Sequence, residues 1–249
     1  MSLVQMHCPK GEIQKNLAAT QKYIQEAASK NVDFICFPEM SITGYINSGN
    51  FPGALLSMDS SEVAQFIKMT RNNNVTAIAG IAEKNPNGQP FITQMIAHKG
   101  ALLGFYRKTN IAKDEKGLFL PGSKIAAFSH PLTKLGVSIC ADIDKREIFE
   151  EYANQGAQII FEAAAPGLYG SQKTRNWQNG FNWWKNECWT KLGTYARTYK
   201  IHIAVATQAG RTIDEDFPGG GYVFDRSGET IYAAPDWKEG VLCADVNIL

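Results

Sequence analysis

The chain has 249 residues, 44% of them hydrophobic and 20% charged, which suits a globular protein with a large core. Lys and Arg number 25 against 24 Asp and Glu, for a formal net charge of +1, and no run of four basic residues occurs. This balance argues against nucleic acid and anionic membrane as partners, because both demand concentrated positive charge.

A short strand near 3–8 opens the chain and leads to a helix near 12–30, where Ile13, Leu17, Ile24 and Ala28 recur at the helical period. Residues 33–38 (Asp-Phe-Ile-Cys-Phe-Pro) read as a buried strand, and a polar, Gly-containing loop follows to about 59. Ser60 or Ser61 can cap a helix bearing Val63, Phe66, Ile67 and Thr70 on one side. Residues 75–82 form a strand, Asn85-Pro86-Asn87-Gly88 a turn, and strands near 91–98 and 101–107 flank a turn at Lys99-Gly100. The second half repeats the order: a strand at 135–139, a helix at 145–155, a strand at 157–162, a helix at 182–200 and a strand at 201–207. A hairpin of 222–224 with 230–233 and a strand at 241–246 complete it. The pattern β-α-β-α-β-β-β thus occurs twice. It predicts an α/β fold, a four-layer α-β-β-α sandwich with internal pseudo-symmetry. No composition shift marks a linker, so 1–249 is expected to be one domain.

No segment reads as transmembrane. The longest uncharged stretch, 40–58, is broken by Ser, Asn, Gly and Pro. Residues 1–6 show no basic start before an apolar core, so a secretory leader is not expected. Five Cys stand at 8, 36, 140, 188 and 243, an odd number at wide spacing without a C-x-x-C. That pattern argues for reduced thiols in the cytoplasm rather than for a disulfide framework or a structural zinc site.

Cofactor fingerprints fail. No G-x-G-x-x-G follows a strand, and residues 117–124 only approach a phosphate loop, with Ser and Lys in the wrong order and Pro121 inside. Gly219-Gly220-Gly221 reads as a loop, and His at 7, 98, 130 and 202 are too scattered for a His-built metal site. No cofactor and no metal are expected. In open α/β sheets chemistry collects at the carboxyl ends of strands. Three such ends stand out: 34–38 runs into Glu39, 136–139 into Cys140-Ala141-Asp142, and 104–106 into Arg107-Lys108. Alone, such a Cys is ordinarily a small core residue and such a Glu or Lys a solvated terminus. Together they can bring a carboxylate, a thiol and an ammonium to one rim.

These blocks resemble the nitrilase superfamily of carbon–nitrogen hydrolases over nearly the whole chain. Residues 33–45 resemble its first block, 106–122 its lysine block and 136–142 its nucleophile block, with Cys140 placed 32 positions after Lys108. The resemblance implies catalytic roles for Glu39, Lys108 and Cys140 and an accessory role for Glu115. The sequence departs from the family pattern at Ala141, where an aromatic residue is usual, at Asn110, where His is common, and at Asp144, where Arg is frequent. It implies cleavage of a non-peptide amide-type C–N bond through a thioester. Cys140 supplies the nucleophile as thiolate. No His lies in the strand-end blocks, so Glu39 is left as the base. A free Glu near ~4.3 facing a Cys near ~8.5 is mismatched by about four pKa units, roughly 6 kcal/mol. Burial should raise the carboxyl and Lys108 should lower the thiol. Lys108 and the Ala141 backbone N–H would hold the oxyanion, and Glu115 would orient Lys108.

Tyr45, Glu162, Tyr169, Trp183 and Trp184 are candidate substrate-binding residues, with Glu162 suited to a cationic amine or, equally, to a structural ion pair. Ala141 should leave extra room beside the nucleophile. The leading reading is an amidase for a small linear amide. An N-carbamoyl amidohydrolase, a nitrilase and a catalytically idle binding protein remain alternatives. The resemblance implies a homodimer, possibly assembled further. The sequence ends soon after Val246 without the long tail of spiral-forming nitrilases, which favours the dimer.

Overall fold

A computed structural model describes residues 1–247. The first half runs β1 (Ser2–Gln5), α1 (Ile13–Ser29), β2 (Phe34–Cys36), α2 (Ser61–Met69), β3 (Thr76–Glu83), β4 (Phe91–His98) and β5 (Ala101–Arg107). The second runs β6 (Phe128–Ser129), β7 (Lys134–Ile139), α3 (Arg146–Asn154), β8 (Ile159–Ala164), α4 (Trp177–Tyr199) and β9 (His202–Thr207). It continues with β10 (Ala209–Arg211), β11 (Asp216–Pro218), β12 (Gly221–Phe224), β13 (Thr230–Ala233) and β14 (Gly240–Cys243).

Two six-stranded sheets result, ordered β14-β1-β2-β3-β4-β5 and β13-β12-β9-β8-β7-β6, with β10 and β11 as a separate ribbon. The pseudo-symmetry is explicit. Each sheet has three parallel strands, β1-β2-β3 or β7-β8-β9, extended on one side by two antiparallel strands and on the other by one. Helices cover the outer faces because connections between parallel strands must cross over the sheet.

Three apolar layers hold the sandwich together. Leu3, Phe34, Ile78, Val137, Phe161 and Val223 pack between the sheets. Leu17, Ile24, Val63 and Phe66 of α1 and α2 pack on Val4, Ile35 and Ala77. Ile148, Phe149, Tyr152, Trp184 and Leu192 of α3 and α4 pack on Ile160, Ile203 and Val205. Ser60 is the α2 cap, its hydroxyl accepting from the Val63 N–H. On α1 the helical period buries Leu17, Ile24 and Ala27, while Ile13 and Ala28 are only partly buried. Helix α4 begins five residues before its expected start at 182, at Trp177, with the Asn176 side chain accepting from the Asn179 N–H.

Far from these carboxyl ends, a polar node joins the two sheets. The Leu132 N–H donates to His130 Nδ1 (3.2 Å), so the neutral His130 ring carries its proton on Nε2. That Nε2 lies 2.9 Å from Thr76 Oγ1, which lies 2.9 Å from His98 Nδ1. The chain of donors therefore runs Leu132 to His130 to Thr76 to His98, and a proton added at His130 Nδ1 would face another donor. Burial first, then the neighbouring His98 and Lys99 against an opposing Asp33, bring His130 down to about 4. Burial and Lys99 also lower His98. A histidine depressed in the fold stabilises it above the unfolded value near ~6.5, and that contribution is lost as pH falls toward the folded value. The thermal midpoint should therefore drop between pH 6.5 and about 4, and His130→Gln should flatten that drop. An unchanged pH slope in the variant would contradict the assignment.

Candidate active site

Strand β2 ends at Cys36, and Pro38 turns the chain into Glu39 beyond its carboxyl end. The turn is stitched to β3 and β4: Phe37 N–H donates to Ile78 O (2.8 Å), Ile42 N–H to Gly80 O (2.9 Å), and Gln94 Nε2 of β4 to Phe37 O (3.0 Å). Gly80 permits this approach, because a Cβ there would sit 2.6 Å from the Met40 backbone nitrogen. Met40 takes φ +48°, a left-handed conformation that non-glycine residues adopt only when surrounding contacts enforce it.

Cys140 follows β7 as the first residue of a 3-10 turn, Cys140–Asp144, and is itself left-handed at φ +46°. Asp142 locks the turn. Its fully buried carboxylate accepts from Ile139 N–H (2.9 Å), Asn110 N–H (2.8 Å), Tyr106 hydroxyl (2.9 Å) and Thr109 hydroxyl (3.3 Å). The Asn110 side chain also donates to Ala141 O. The nucleophile turn and the lysine loop after β5 are thus one hydrogen-bonded unit.

Lys108 Nζ donates to Glu39 Oε1 (2.9 Å) and to Glu115 Oε1 (2.7 Å), with the ammonium fully out of solvent. Glu39 Oε2 accepts from Ala165 N–H (3.0 Å), and the Cys140 thiol is close enough to act on its carboxylate. Glu115 Oε1 accepts from the Tyr45 hydroxyl (2.6 Å) and Oε2 from Ala112 N–H (2.8 Å). Burial pushes Glu39 up to about 7 against the opposing pull of Lys108. Burial alone would lower Lys108, but Glu39 and Glu115 outweigh it and hold the ammonium charged. The Cys140 thiol is raised, by burial and then by Glu39, and Lys108 only partly offsets them. This reverses the sequence expectation of a depressed thiol, because burial and then the Glu39 charge outweigh the pull of Lys108. The resting group is therefore a protonated thiol next to a carboxylate able to take its proton near neutrality.

Cys140 opens on a cavity of about 190 Å³, below the range of about 300–1,000 Å³ for drug-sized ligands. Of the residues singled out in the sequence, Lys108, Glu115, Cys140, Ala141, Tyr45, Tyr169, Trp183 and Trp184 line it. Glu39 sits behind them, fully buried. Tyr169 is largely exposed at the mouth, and the buried Trp184 donates from Nε1 to Thr207 Oγ1 (2.8 Å). Glu162 does not line the cavity. Strand β8 continues past it to Ala164, and period-two alternation puts it with Ile160 and Ala164 on the helix-facing side, where its carboxyl accepts from the Ser138 hydroxyl. Burial raises Glu162 well above the carboxylate range, the more distant Lys108 offsetting little of it, and among the described residues no ion pair reaches it. The loop carrying Leu168 and Tyr169 is fixed by Arg175, whose guanidinium donates to Leu168 O (2.8 Å) and pairs with Asp216 (2.9 Å). Among the described residues, no group of three or more His, Cys, Asp or Glu is arranged to hold a metal ion. No helix among them is long and apolar enough to cross a membrane.

Sequence reasoning named Asp142 within the nucleophile block but gave it no role. Its position two residues after Cys140, at a strand end, was the available signal. Removing this carboxylate strands buried donors at about 1–3 kcal/mol each. Asp142→Ala should destabilise the fold by at least about 2 kcal/mol and cut turnover more than tenfold, read by denaturant unfolding and ammonia release. Unaltered stability would contradict the locking role.

Comparison with known proteins agrees with this fold. The chain is 26% identical to the probable nitrilase C965.09 of Schizosaccharomyces pombe, covering 100% of this chain and 88% of that protein. It is 24% identical to the glutamine-dependent NAD(+) synthetase of Acinetobacter baylyi over 96% of this chain, but spans only 42% of the length of that relative. Its fold superposes with TM-score 0.82 on a glutamate-to-glutamine variant of the amidase from Nesterenkonia sp. AN1, at 21% identity over 99% of this chain and 89% of that one. In that amidase the acetamide moiety of fluoroacetamide is covalently bound to the active-site cysteine. Residues 1–248 match the carbon-nitrogen hydrolase family as a whole, so the chain belongs to that family.

Proposed function

We propose that this chain hydrolyses the C–N bond of a small amide through a thioester on Cys140. The observation that carries the reading is the buried Lys108 ammonium held between Glu39 and Glu115 beside the Cys140 thiol. Glu39 takes the thiol proton as sulfur attacks the carbonyl carbon. Two of the three Lys108 N–H donors are taken up by carboxylates. The third, with the Ala141 N–H, holds the oxyanion. Glu39 passes its proton to the departing nitrogen, and ammonia or an amine leaves. It then deprotonates a water that attacks the thioester, releasing the acid and restoring the thiol. Glu115, braced by Tyr45 and Ala112 N–H, fixes Lys108. The cavity volume of about 190 Å³ favours a short substrate.

The Nesterenkonia relative is an amidase whose active-site cysteine reacts with an amide, fluoroacetamide, which favours amide over nitrile chemistry. The single domain, homodimer and cytoplasmic setting expected from the sequence belong to the same proposal. The free thiols of all five cysteines suit a reducing compartment.

Cys140→Ala should abolish ammonia release from small amides while leaving the unfolding midpoint within a few degrees of wild type. Full activity in that variant would refute the nucleophile. Because Glu39 acts deprotonated and is raised to about 7, kcat/KM should rise with pH through about 7. An acid limb centred near 4, where an ordinary carboxylate titrates, would contradict this account of the base.

A further inference from the structure

The outer wall of the cavity carries charge that the reaction does not use. Trp183, Glu187 and Lys191 follow one another at helical spacing along α4 and line the cavity together. Asp144, at the end of the nucleophile turn, faces them, and Asp114 comes from the lysine loop. Lys191 Nζ pairs with Asp144 (2.6 Å) and with Glu187 (2.5 Å). Asp114 enters none of the ion pairs found among the described residues.

The cavity wall thus holds two ammonium groups, Lys108 and Lys191, against the four carboxylates of Asp114, Glu115, Asp144 and Glu187. Each lysine already bonds two carboxylates, so neither offers uncompensated positive charge to a substrate carboxylate. A ligand entering this cavity meets a negative field. Trp183 is 41% exposed beside those carboxylates, and its indole presents an aromatic face suited to a cation.

We infer that the preferred substrate is a short amide whose far end carries a primary ammonium group, held between Trp183 and the carboxylates of Asp114, Asp144 and Glu187. The inference rests on the amidase reading for its chemistry but not for its charge preference. An anionic far end is disfavoured because Lys191 is already neutralised. Asp144 is the residue that decides this, since its loss removes one carboxylate and leaves Lys191 with Glu187 alone.

Two measurements separate the inference from the reading it rests on. The first compares 4-aminobutanamide, butanamide and succinamate as substrates. kcat/KM should fall in that order, by about tenfold from ammonium to neutral, and the spread should shrink as salt is added. The second needs no turnover. Cys140 is modified with cationic aminoethyl, neutral methyl and anionic sulfonatoethyl methanethiosulfonates, and the rate is followed by mass spectrometry of its peptide. The cationic reagent should react fastest. Asp144→Asn should move both rankings toward the anion by raising KM for the ammonium amide more than KM for butanamide. Asp144→Glu should restore the wild-type order. Succinamate as the best substrate, or labelling that favours the anionic reagent or ignores charge, overturns the inference. Cation-selective labelling without hydrolysis of any amide would sustain the charge preference and overturn the amidase reading alone.

Discussion

The Lys108 ammonium, sealed from solvent between the carboxylates of Glu39 and Glu115, is the constraint on which the rest of the site depends. An ammonium moved into such surroundings loses several kcal/mol of hydration unless charged partners replace the water. Here they do, and the consequence reaches further than Lys108. Burial penalises every negative charge in the cluster, and the one ammonium only partly offsets it, so protons are held tightly nearby. Glu39 moves up toward neutrality and the Cys140 thiol stays protonated at rest. The base is thereby brought toward neutrality without a histidine, while the thiol gives up its proton only as sulfur attacks.

The pseudo-symmetric sandwich explains how residues 39, 108 and 140 meet. Glu39 follows β2, Lys108 follows β5 and Cys140 follows β7, in two different sheets. The packed layer of Phe34, Ile78, Val137 and Phe161 fixes the sheets face to face. The left-handed residues Met40 and Cys140 then turn the chain sharply at two of the strand ends. Such conformations persist only where neighbours over-determine them. Gly80 and Gln94 do so for the first, and Asp142 does so for the second.

Much of this was legible in the sequence because local patterns carry it. The strands at 91–98 and 101–107 have the bounds expected from their turn signals. The strand-end residues Glu39, Lys108 and Cys140 were visible because polar groups interrupt apolar runs. The start of α4 was hidden because Asn179-Gly180 reads as a turn signal inside its first turn, although Trp177 and Phe181 stand at helical spacing, and because its cap, Asn176, sits among other polar residues. The side on which Glu162 falls was hidden for a different reason. Strand β8 is buried on both faces, so its apolar residues do not reveal which parity meets the other sheet. The bonds of Asp142 reach back over thirty positions to Tyr106, Thr109 and Asn110, and no local pattern encodes them. The direction of the thiol shift depends first on how deeply the sulfur is buried and then on the charges around it, which only the folded positions determine.

The central claim is that sulfur, not water, first attacks the substrate. An amide mixed with the enzyme and quenched in acid within the first turnovers tests it directly, by peptide mass spectrometry. The account predicts that the peptide containing Cys140 gains the mass of the acyl group and that the gain disappears as turnover is completed. Steady hydrolysis with Cys140 unmodified throughout, or an acyl group found on another residue, would contradict it.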